Sequence, residues 1–359
     1  NLITIDQPIS ASTEWTADHQ YLIKGFVEVE AGVTLTIAPG TVIFGDKTTK
    51  GTLIINRGAT INAAGTAASP IVFTSHEPAG SRAPGDWGGI ILCGRAPVNL
   101  PGGTGVVEGG VEAVFGGTDA ADNSGRLSFV RIEFPGIAFQ PNNEINGLTL
   151  AGVGSGTTID HIQVSYSGDD SYEWFGGAVN SKRIISFGGL DDDFDMDNGF
   201  SGKLQFGVAV RDANQADASG SNVLEHDNDA SGLTNSPFTT PIITNVSILG
   251  PLATSTSTPN DNYKRSAHLR RNTHTNVYNS VFAGFPTGLL IDGPGAEANA
   301  SNNDLVFRSS VIAGMTSNFA VASGSTWDIA TWFATNGWNN TTYTNNRDLL
   351  LAVPLAFVA

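Results

Sequence analysis

One stretch decides the fold class, Thr34-Leu35-Thr36-Ile37-Ala38-Pro39-Gly40-Thr41-Val42-Ile43, in which two short β-branched and aliphatic runs flank a Pro-Gly turn. Similar runs follow it, and Leu35, Leu53 and Ile71 within them lie 18 residues apart. A repeat of that length is too short for a pair of helices and is typical of one strand-turn unit of a solenoid. The pattern therefore predicts an all-β chain of short parallel strands stacked along one axis.

The composition agrees with a single solenoid domain over residues 1–359. Charged residues make up 14% of the chain and glycines number 43, which suits tight turns and polar faces more than helices. We expect regular coils at about 21–94, coils with longer loops at about 127–315 and a C-terminal cap at about 320–359. A formal net charge of −16 repels a phosphate backbone, so we expect no nucleic-acid partner.

Two further features bear on location and redox chemistry. No segment approaches the roughly 20 apolar residues that span a bilayer, and the chain begins without Met. We interpret this as an exported protein, at the cell surface or outside the cell, whose signal peptide is already removed. The lone cysteine, Cys93, lies in an apolar run and is expected to be a buried small hydrophobe.

The middle of the chain suggests a longer coil. The pairs Ile162 with Ile185 and Asp170 with Asp193 are each 23 residues apart, which predicts coils that have gained a longer turn. Near the end, residues 325–333 form the best helical window, with Ser325 or Thr326 as the N-cap candidate. We expect this short helix to be a lid over the last coil, because an open solenoid end exposes a sheet edge.

Several phrases carry a family resemblance. The opening stretch, Gly65-Thr66-Ala67-Ala68-Ser69-Pro70-Ile71-Val72-Phe73-Thr74 and Asp86-Trp87-Gly88-Gly89-Ile90 resemble exported right-handed parallel β-helix proteins of Bacteroidetes and related Gram-negative bacteria. These proteins are similar to the wider pectin-lyase-like superfamily, which includes lyases, hydrolases, adhesins and inert stalks. The resemblance implies a right-handed β-helix, as the crossover rule also favours, and leaves the activity open.

The densest chemical signal is acidic. If 23 residues make one coil, Asp170 and Asp193 lie about 4.8 Å apart on neighbouring coils and repel unless a cation or protons lie between them. Oxygen ligands in alternation, as at Asp193, Asp195 and Asp197, suit Ca²⁺. A solvated acidic ledge of Asx-turns and a paired-carboxylate catalytic site of glycosidase type are the alternatives. The candidate metal ligands are Asp169, Asp170, Glu173, Asp191, Asp192, Asp193, Asp195, Asp197, Glu225, Asp227 and Asp229.

A basic cluster follows at residues 264–274. In superfamily lyases that use Ca²⁺, the metal neutralises a uronate carboxylate while an arginine removes the adjacent proton. By that analogy the weak catalytic candidates are Arg270 and Arg271 as base and His274 as base or substrate clamp. The alternative is that these side chains pair with acidic residues of the neighbouring coil. His226, between two acids, is a further candidate for a metal site.

Aromatic residues adjoin the acidic run. Tyr172 and Trp174 are candidates for glycan contact, because a ring offers an apolar platform beside carboxylates that bond hydroxyls; core filling is the alternative. The apolar run at 349–358 would complete a neighbour's sheet in self-association, or dock on its own solenoid.

These features support two hypotheses. The first is a non-catalytic exported β-helix protein, stiffened by Ca²⁺, that serves adhesion, contact with a cell-surface glycan or extracellular assembly. The second is a Ca²⁺-dependent polysaccharide lyase or another glycan-active enzyme. The second requires the acidic and basic sets to face one groove.

Overall fold

Short strands, most of them parallel, define the architecture of the computed structural model, which describes residues 1–140, 143–254 and 256–351. The strands, in chain order, are β1 (Leu2–Ile5), β2 (Thr13–Trp15), β3 (Gln20–Ile23), β4 (Phe26–Val29), β5 (Thr34–Ile37), β6 (Val42–Gly45), β7 (Thr52–Ile55), β8 (Thr60–Ala64), β9 (Ile71–Ser75), β10 (Gly89–Cys93), β11 (Gly105–Val106), β12 (Val114–Phe115), β13 (Gly125–Glu133), β14 (Ile137–Gln140), β15 (Asn143–Ile145), β16 (Leu148–Ala151), β17 (Thr158–Ser165), β18 (Tyr172–Phe175), β19 (Asn180–Phe187), β20 (Phe194–Asp197), β21 (Lys203–Gln205), β22 (Val208–Val210), β23 (Ser221–His226), β24 (Ile242–Thr244), β25 (Ser247–Leu249), β26 (Tyr263–Arg270), β27 (Asn276–Tyr278), β28 (Val281–Ala283), β29 (Thr287–Asp292), β30 (Val306–Arg308), β31 (Val311–Ala313), β32 (Ser317–Val321) and β33 (Thr341–Tyr343). The helices are α1 (Pro294–Asn302) and α2 (Ile329–Phe333), with 3₁₀ turns at Pro101–Gly103 and Asn346–Leu349.

The strands stack into three parallel columns. One is a 10-stranded sheet, here called the B sheet, in the order β4, β7, β10, β16, β18, β20, β23, β26, β29 and β32. The other two columns make up a 19-stranded sheet and are joined where long strands such as β13, β17 and β19 run through both. Each coil from β4 to β29 therefore supplies one strand to the B sheet and a strand or half-strand to each of the other columns. This confirms the predicted all-β parallel β-helix.

The interior is filled by side chains from all three columns. Alternate residues of each strand point inward, as the period of a strand requires. The largest inward side chains include Trp87, Phe194, Phe282 and Phe307, all fully buried in one continuous apolar cluster. Because that cluster runs the length of the described solenoid, each coil is stabilised mainly by its neighbours.

The predicted coil lengths were wrong in detail. Leu35 pairs with Ile61, 26 residues on, so the 18-residue spacing relates strands of different columns. In the middle of the chain Ile162 pairs with Ile184, not with Ile185, so the coil there has 22 residues instead of 23. The reason is that Ile185 points outward and is 38% exposed, whereas Ile184 is fully buried.

Tyr172 and Trp174 face the core and are not glycan contacts. Both are fully buried, and their rings stack at a centroid distance of 5.8 Å. The Tyr172 hydroxyl donates to the carbonyl oxygens of Ile162 and Ile185, which satisfies its polar end inside the solenoid. The core-filling alternative is therefore the correct one. Cys93 is also fully buried, as predicted, and burial raises the pKa of its thiol to about 12.

The segment 95–123 is an arm that covers the outer face of the B sheet. Its hairpin, β11 with β12, places Val107 and Phe115 in a second apolar cluster. That cluster rests on outward residues of the sheet, such as Ile54 and Ile91. The segment 212–241 contains the sheet strand β23 and forms loops on either side of it.

The C-terminal helical lid is present and short. Its helix α2 begins after Asp328, whose side chain accepts a hydrogen bond from the Thr331 amide and caps the helix. Phe333 packs on Phe307 and Phe319 of the last coils. The N-cap is therefore Asp328 instead of Ser325 or Thr326. The apolar run at 349–358 lies largely outside the described residues.

A substitution in the core tests the placement of Trp174. We expect Trp174→Ala to lower the free energy of unfolding by about 3–5 kcal/mol, because it removes a large side chain from a packed interior. Urea unfolding followed by circular dichroism measures this loss. Tyr343→Ala, at a ring that is 38% exposed, is the matched control and should change stability far less. Equal effects of the two variants would contradict the placement.

Candidate metal centre

The B sheet builds the candidate site on its outer face. The register aligns Glu173 on β18, Asp195 on β20 and Glu225 on β23 in one row across neighbouring coils. Strands of a sheet lie about 4.8 Å apart, so the row holds three carboxylates at that spacing. The next residue in the row is His268 on β26. Acidic side chains thus stand side by side, and the histidine follows them at one end of the row.

Turns just before the strands add more carboxylates. Asp169 and Asp170 precede β18, and Asp191 and Asp192 precede β20. Asp170 accepts a hydrogen bond from the Asp192 amide at 2.8 Å, which ties these two turns together. The acidic residues of neighbouring turns therefore lie beside the row of carboxylates that the strands carry.

Three overlapping groups of carboxylates are close enough to share a cation. In each group one oxygen from every member lies within 4.8 Å of the others. Asp195 belongs to two of the groups and Asp170 also to two. The groups are Asp169 with Asp170 and Asp191; Asp170 with Glu173 and Asp195; and Asp192 with Asp195 and Glu225.

Some of these polar groups have no partner in the described part of the chain. Asp169, which is only 8% exposed, and the half-buried Asp195 have no hydrogen bond and no ion pair there. Asn222 is 1% exposed, and its Nδ2 donates to Glu225 at 2.8 Å, yet its Oδ1 bonds nothing. A buried amide oxygen and buried carboxylates without donors fit a site that supplies oxygen ligands to a cation.

Burial and mutual repulsion raise the pKa values of this cluster. They hold the pKa values of Asp170, Glu173 and Asp195 well above the usual carboxyl range, and they raise that of Asp191 to about 6. Glu225 differs: burial opposes its ionisation, but hydrogen bonding to His268 and the charge of Arg270 outweigh it and lower the pKa. The uncompensated negative charge is therefore concentrated between β18 and β20.

Two acidic residues that the sequence did not single out join the site. Glu108 comes from the arm at 95–123, and Glu144 comes from β15. Burial and the Glu144 charge raise the pKa of Glu108 to about 7, and its carboxyl group also hydrogen-bonds Glu173. No local pattern marks them, because long segments of chain separate both from the acidic run.

Asp193 does not belong to the outer row, contrary to prediction. The 22-residue register aligns Asp170 with Asp192 and turns Asp193 inward, where its side chain is fully buried. Its carboxylate pairs with the equally buried Arg211 at 3.0 Å and accepts a hydrogen bond from Ser186. Arg211 also donates to the carbonyl oxygens of residues 190 and 191. This pair fixes the turn that carries the outer acids.

Other predicted ligands lie beside the three groups. Asp197 follows Asp195 on the outer face, and burial and Asp227 raise its pKa to about 7. Asp229 accepts hydrogen bonds from the amides of residues 231 and 233, and so stabilises a turn. His226 points inward and contacts Thr275; burial lowers its pKa to about 3. The hypothesis that His226 is a metal ligand was therefore wrong.

The basic residues pair with acids of the neighbouring coil. Arg270 contacts Glu225 and donates from Nε to Asp227 at 2.8 Å, and Arg271 contacts Asp227 at 2.8 Å. The ring nitrogens of His268 lie 3.2 Å from Glu225 and 2.9 Å from Asp292. The acidic and basic sets thus meet on one face of the molecule.

His274 lies outside this network. Its ring stacks on Phe238 at a centroid distance of 4.2 Å, and burial lowers its pKa. Among the described residues, it forms no ion pair with the acidic groups. A role for it as a base beside the carboxylates has no support in this geometry.

Comparison with known proteins gives one result for the whole solenoid. Residues 7–349 match the model of the pectate-lyase-like β-helix domain. No curated protein and no solved structure gives a significant match. Among the described residues, no helix is long and apolar enough to cross a membrane.

The raised pKa values predict a pH dependence of stability in the absence of metal. The folded state holds protons that the unfolded chain releases, so stability should fall as pH rises from about 4 to about 7. We expect the thermal midpoint in EDTA to drop by several degrees over that window. The double variant Asp191→Asn/Asp197→Asn should show a shallower slope. A midpoint that rises with pH in EDTA would contradict the described cluster.

Proposed function

The chain belongs to the pectate-lyase-like β-helix family, and from that premise we propose that it is a non-catalytic, Ca²⁺-binding β-helix. In this proposal the metal joins successive coils of an extracellular or cell-surface rod. The observation that carries the proposal is the shared position of Asp195, which links two carboxylate groups and has no donor of its own among the described residues.

The donor set supports calcium over a softer metal. Every member of the three groups offers a carboxylate oxygen. Ca²⁺ takes six to eight such hard ligands at about 2.3–2.6 Å, whereas Zn²⁺ favours Cys and His. The residues that would hold it are Asp170, Glu173 and Asp195, or Asp192, Asp195 and Glu225.

Charge explains what such an ion would do. Carboxylates on neighbouring coils repel each other, and a divalent cation between them removes the repulsion and attracts both coils. The site takes ligands from β18, β20 and β23 or the turns that precede them. A calcium ion in either group would therefore join two neighbouring coils, β18 with β20 or β20 with β23. Extracellular calcium modules bind with Kd values of about 10⁻⁴–10⁻³ M, a range that suits an exported protein.

The contacts and burial of the catalytic and glycan-contact candidates support a non-catalytic role. Arg270 contacts two carboxylates, and the negative charges around it raise its pKa despite burial, so it is a poor proton acceptor. Tyr172 and Trp174, which would have formed a sugar platform, lie in the core. These side chains serve the structure.

A Ca²⁺-dependent lyase is the second candidate, and one observation favours it. The acidic and basic sets share one outer face, as that mechanism requires, because β23 and β26 are adjacent. The side chain of Arg271 is 42% exposed and is more accessible than that of Arg270. It would be the residue to test as a base.

Calorimetry on EDTA-stripped protein tests the metal. We expect saturable calcium binding with a rise in thermal midpoint, and a loss of affinity of at least about tenfold in Asp195→Asn. Asp160→Asn is the matched control, because Asp160 pairs with Arg183 on a different column and should leave calcium binding unchanged. Absence of binding, or equal binding by both variants, would contradict the proposed site.

Incubation with polyuronates in the presence of calcium tests the catalytic role. We expect no ultraviolet absorbance from unsaturated sugar products. Product formed by the wild type and lost in Arg271→Gln, with calcium binding retained, would replace the non-catalytic proposal by the lyase. Circular dichroism of each variant confirms that it remains folded.

A further inference from the structure

A second surface, on a different side of the solenoid from the acidic row, carries the opposite charge. It is a groove of about 420 Å³ on the outer face of the 19-stranded sheet, across β19, β21 and β24. We call it the lysine groove. Its lining residues are Asn180, Ser181, Lys182, Lys203, Gln205, Ile242 and Thr244.

The two lysines are the only charged residues of the described lining. Lys182 pairs in register with Gln205, and Lys203 with Asn180, so the ammonium groups stand on neighbouring coils in adjacent rows. Both side chains are exposed and make no ion pair within the described residues. The acid opposite Lys182, Asp160, is occupied by Arg183 at 2.9 Å. The groove therefore keeps its positive charge in a protein of net charge −16.

The remaining lining is that of a site for hydroxyl-rich chains. Asn180 and Gln205 supply amide donors and acceptors, and Thr244 supplies a hydroxyl. Ile242, which is 37% exposed, adds an apolar surface between them. The lining comes from three neighbouring coils about 4.8 Å apart, so an extended chain lying across them meets at least one polar side chain on each coil.

We propose that the lysine groove binds a polysaccharide that carries carboxylate or sulfate groups. Lys182 and Lys203 hold the acidic groups, the amides and Thr244 bond hydroxyls, and Ile242 packs against the C–H face of a sugar ring. Complementary charge identifies the partner class. The inference is independent of calcium, because none of the carboxylates of the metal centre lines this groove.

The test uses dextran sulfate as the probe and uncharged dextran as its reference, both in EDTA so that no metal bridges the probe to the acidic face. We expect dextran sulfate to bind, and Lys182→Gln/Lys203→Gln to weaken it at least about tenfold. Lys24→Gln/Lys264→Gln makes the same change of charge away from the groove and should weaken binding less than about twofold.

The outcomes distinguish binding at the lysine groove from attraction by the charge of the whole protein. Equal weakening by the two double variants would overturn the proposal, because the long-range charge of the protein would then account for binding. So would an absence of binding in EDTA, or binding to anionic lipid vesicles without binding to dextran sulfate. Calcium affinity measured on Lys182→Gln/Lys203→Gln should equal that of the wild type, so failure here leaves the metal proposal standing.

Discussion

Parallel, in-register stacking is the constraint on which the rest of the structure depends. It places residues of one row about 4.8 Å apart whatever their chemistry. Inside the solenoid this is favourable: Trp174 aligns with Met196 and packs near Phe194 in a continuous apolar cluster. Outside, the same register aligns Glu173 with Asp195 and therefore creates repulsion. The two faces of each strand cannot change register independently, so apolar burial holds the carboxylates together.

The protein balances this repulsion unevenly along the B sheet. At β26, Arg270 neutralises Glu225 and Asp227, and a ring nitrogen of His268 lies within hydrogen-bond distance of Glu225. At β18 and β20 the row carboxylates form no ion pair within the described residues, the charge of Arg270 acts on Asp195 only from a distance, and Glu108 from the covering arm adds a further acid. On the inner side of the solenoid, by contrast, the Asp193 carboxylate pairs with the buried Arg211. The buried Asp193 thus has a counter-charge in direct contact, whereas no ion pair forms in the central outer group within the described residues.

The sequence predicted strands in both sheets wherever an apolar run marks them. The runs around Leu35, Leu53 and Ile71 correspond to β5 and β9 of the 19-stranded sheet and to β7 of the B sheet. No such run marks β18 and β26, because charged residues stand at their outward positions. The one-residue error in coil length has a related cause. Ile185 and Phe187 point outward while Ser186 points inward to Asp193, so matching apolar residues selects the wrong partner.

Either protons or a bound cation can remove the repulsion within the acidic cluster. Protonation weakens as pH rises, whereas metal binding strengthens. Protons leave as pH rises past the values of about 6 to 7 that apply to Asp191, Asp197 and Glu108. Metal binding strengthens over that range, because the ligands must be deprotonated to coordinate. A rod stiffened by protons would therefore soften in neutral surroundings, whereas one stiffened by calcium would not. Since the pKa values lie at or below neutrality for these three groups, their charge near pH 7 favours the cation as the stabilising partner.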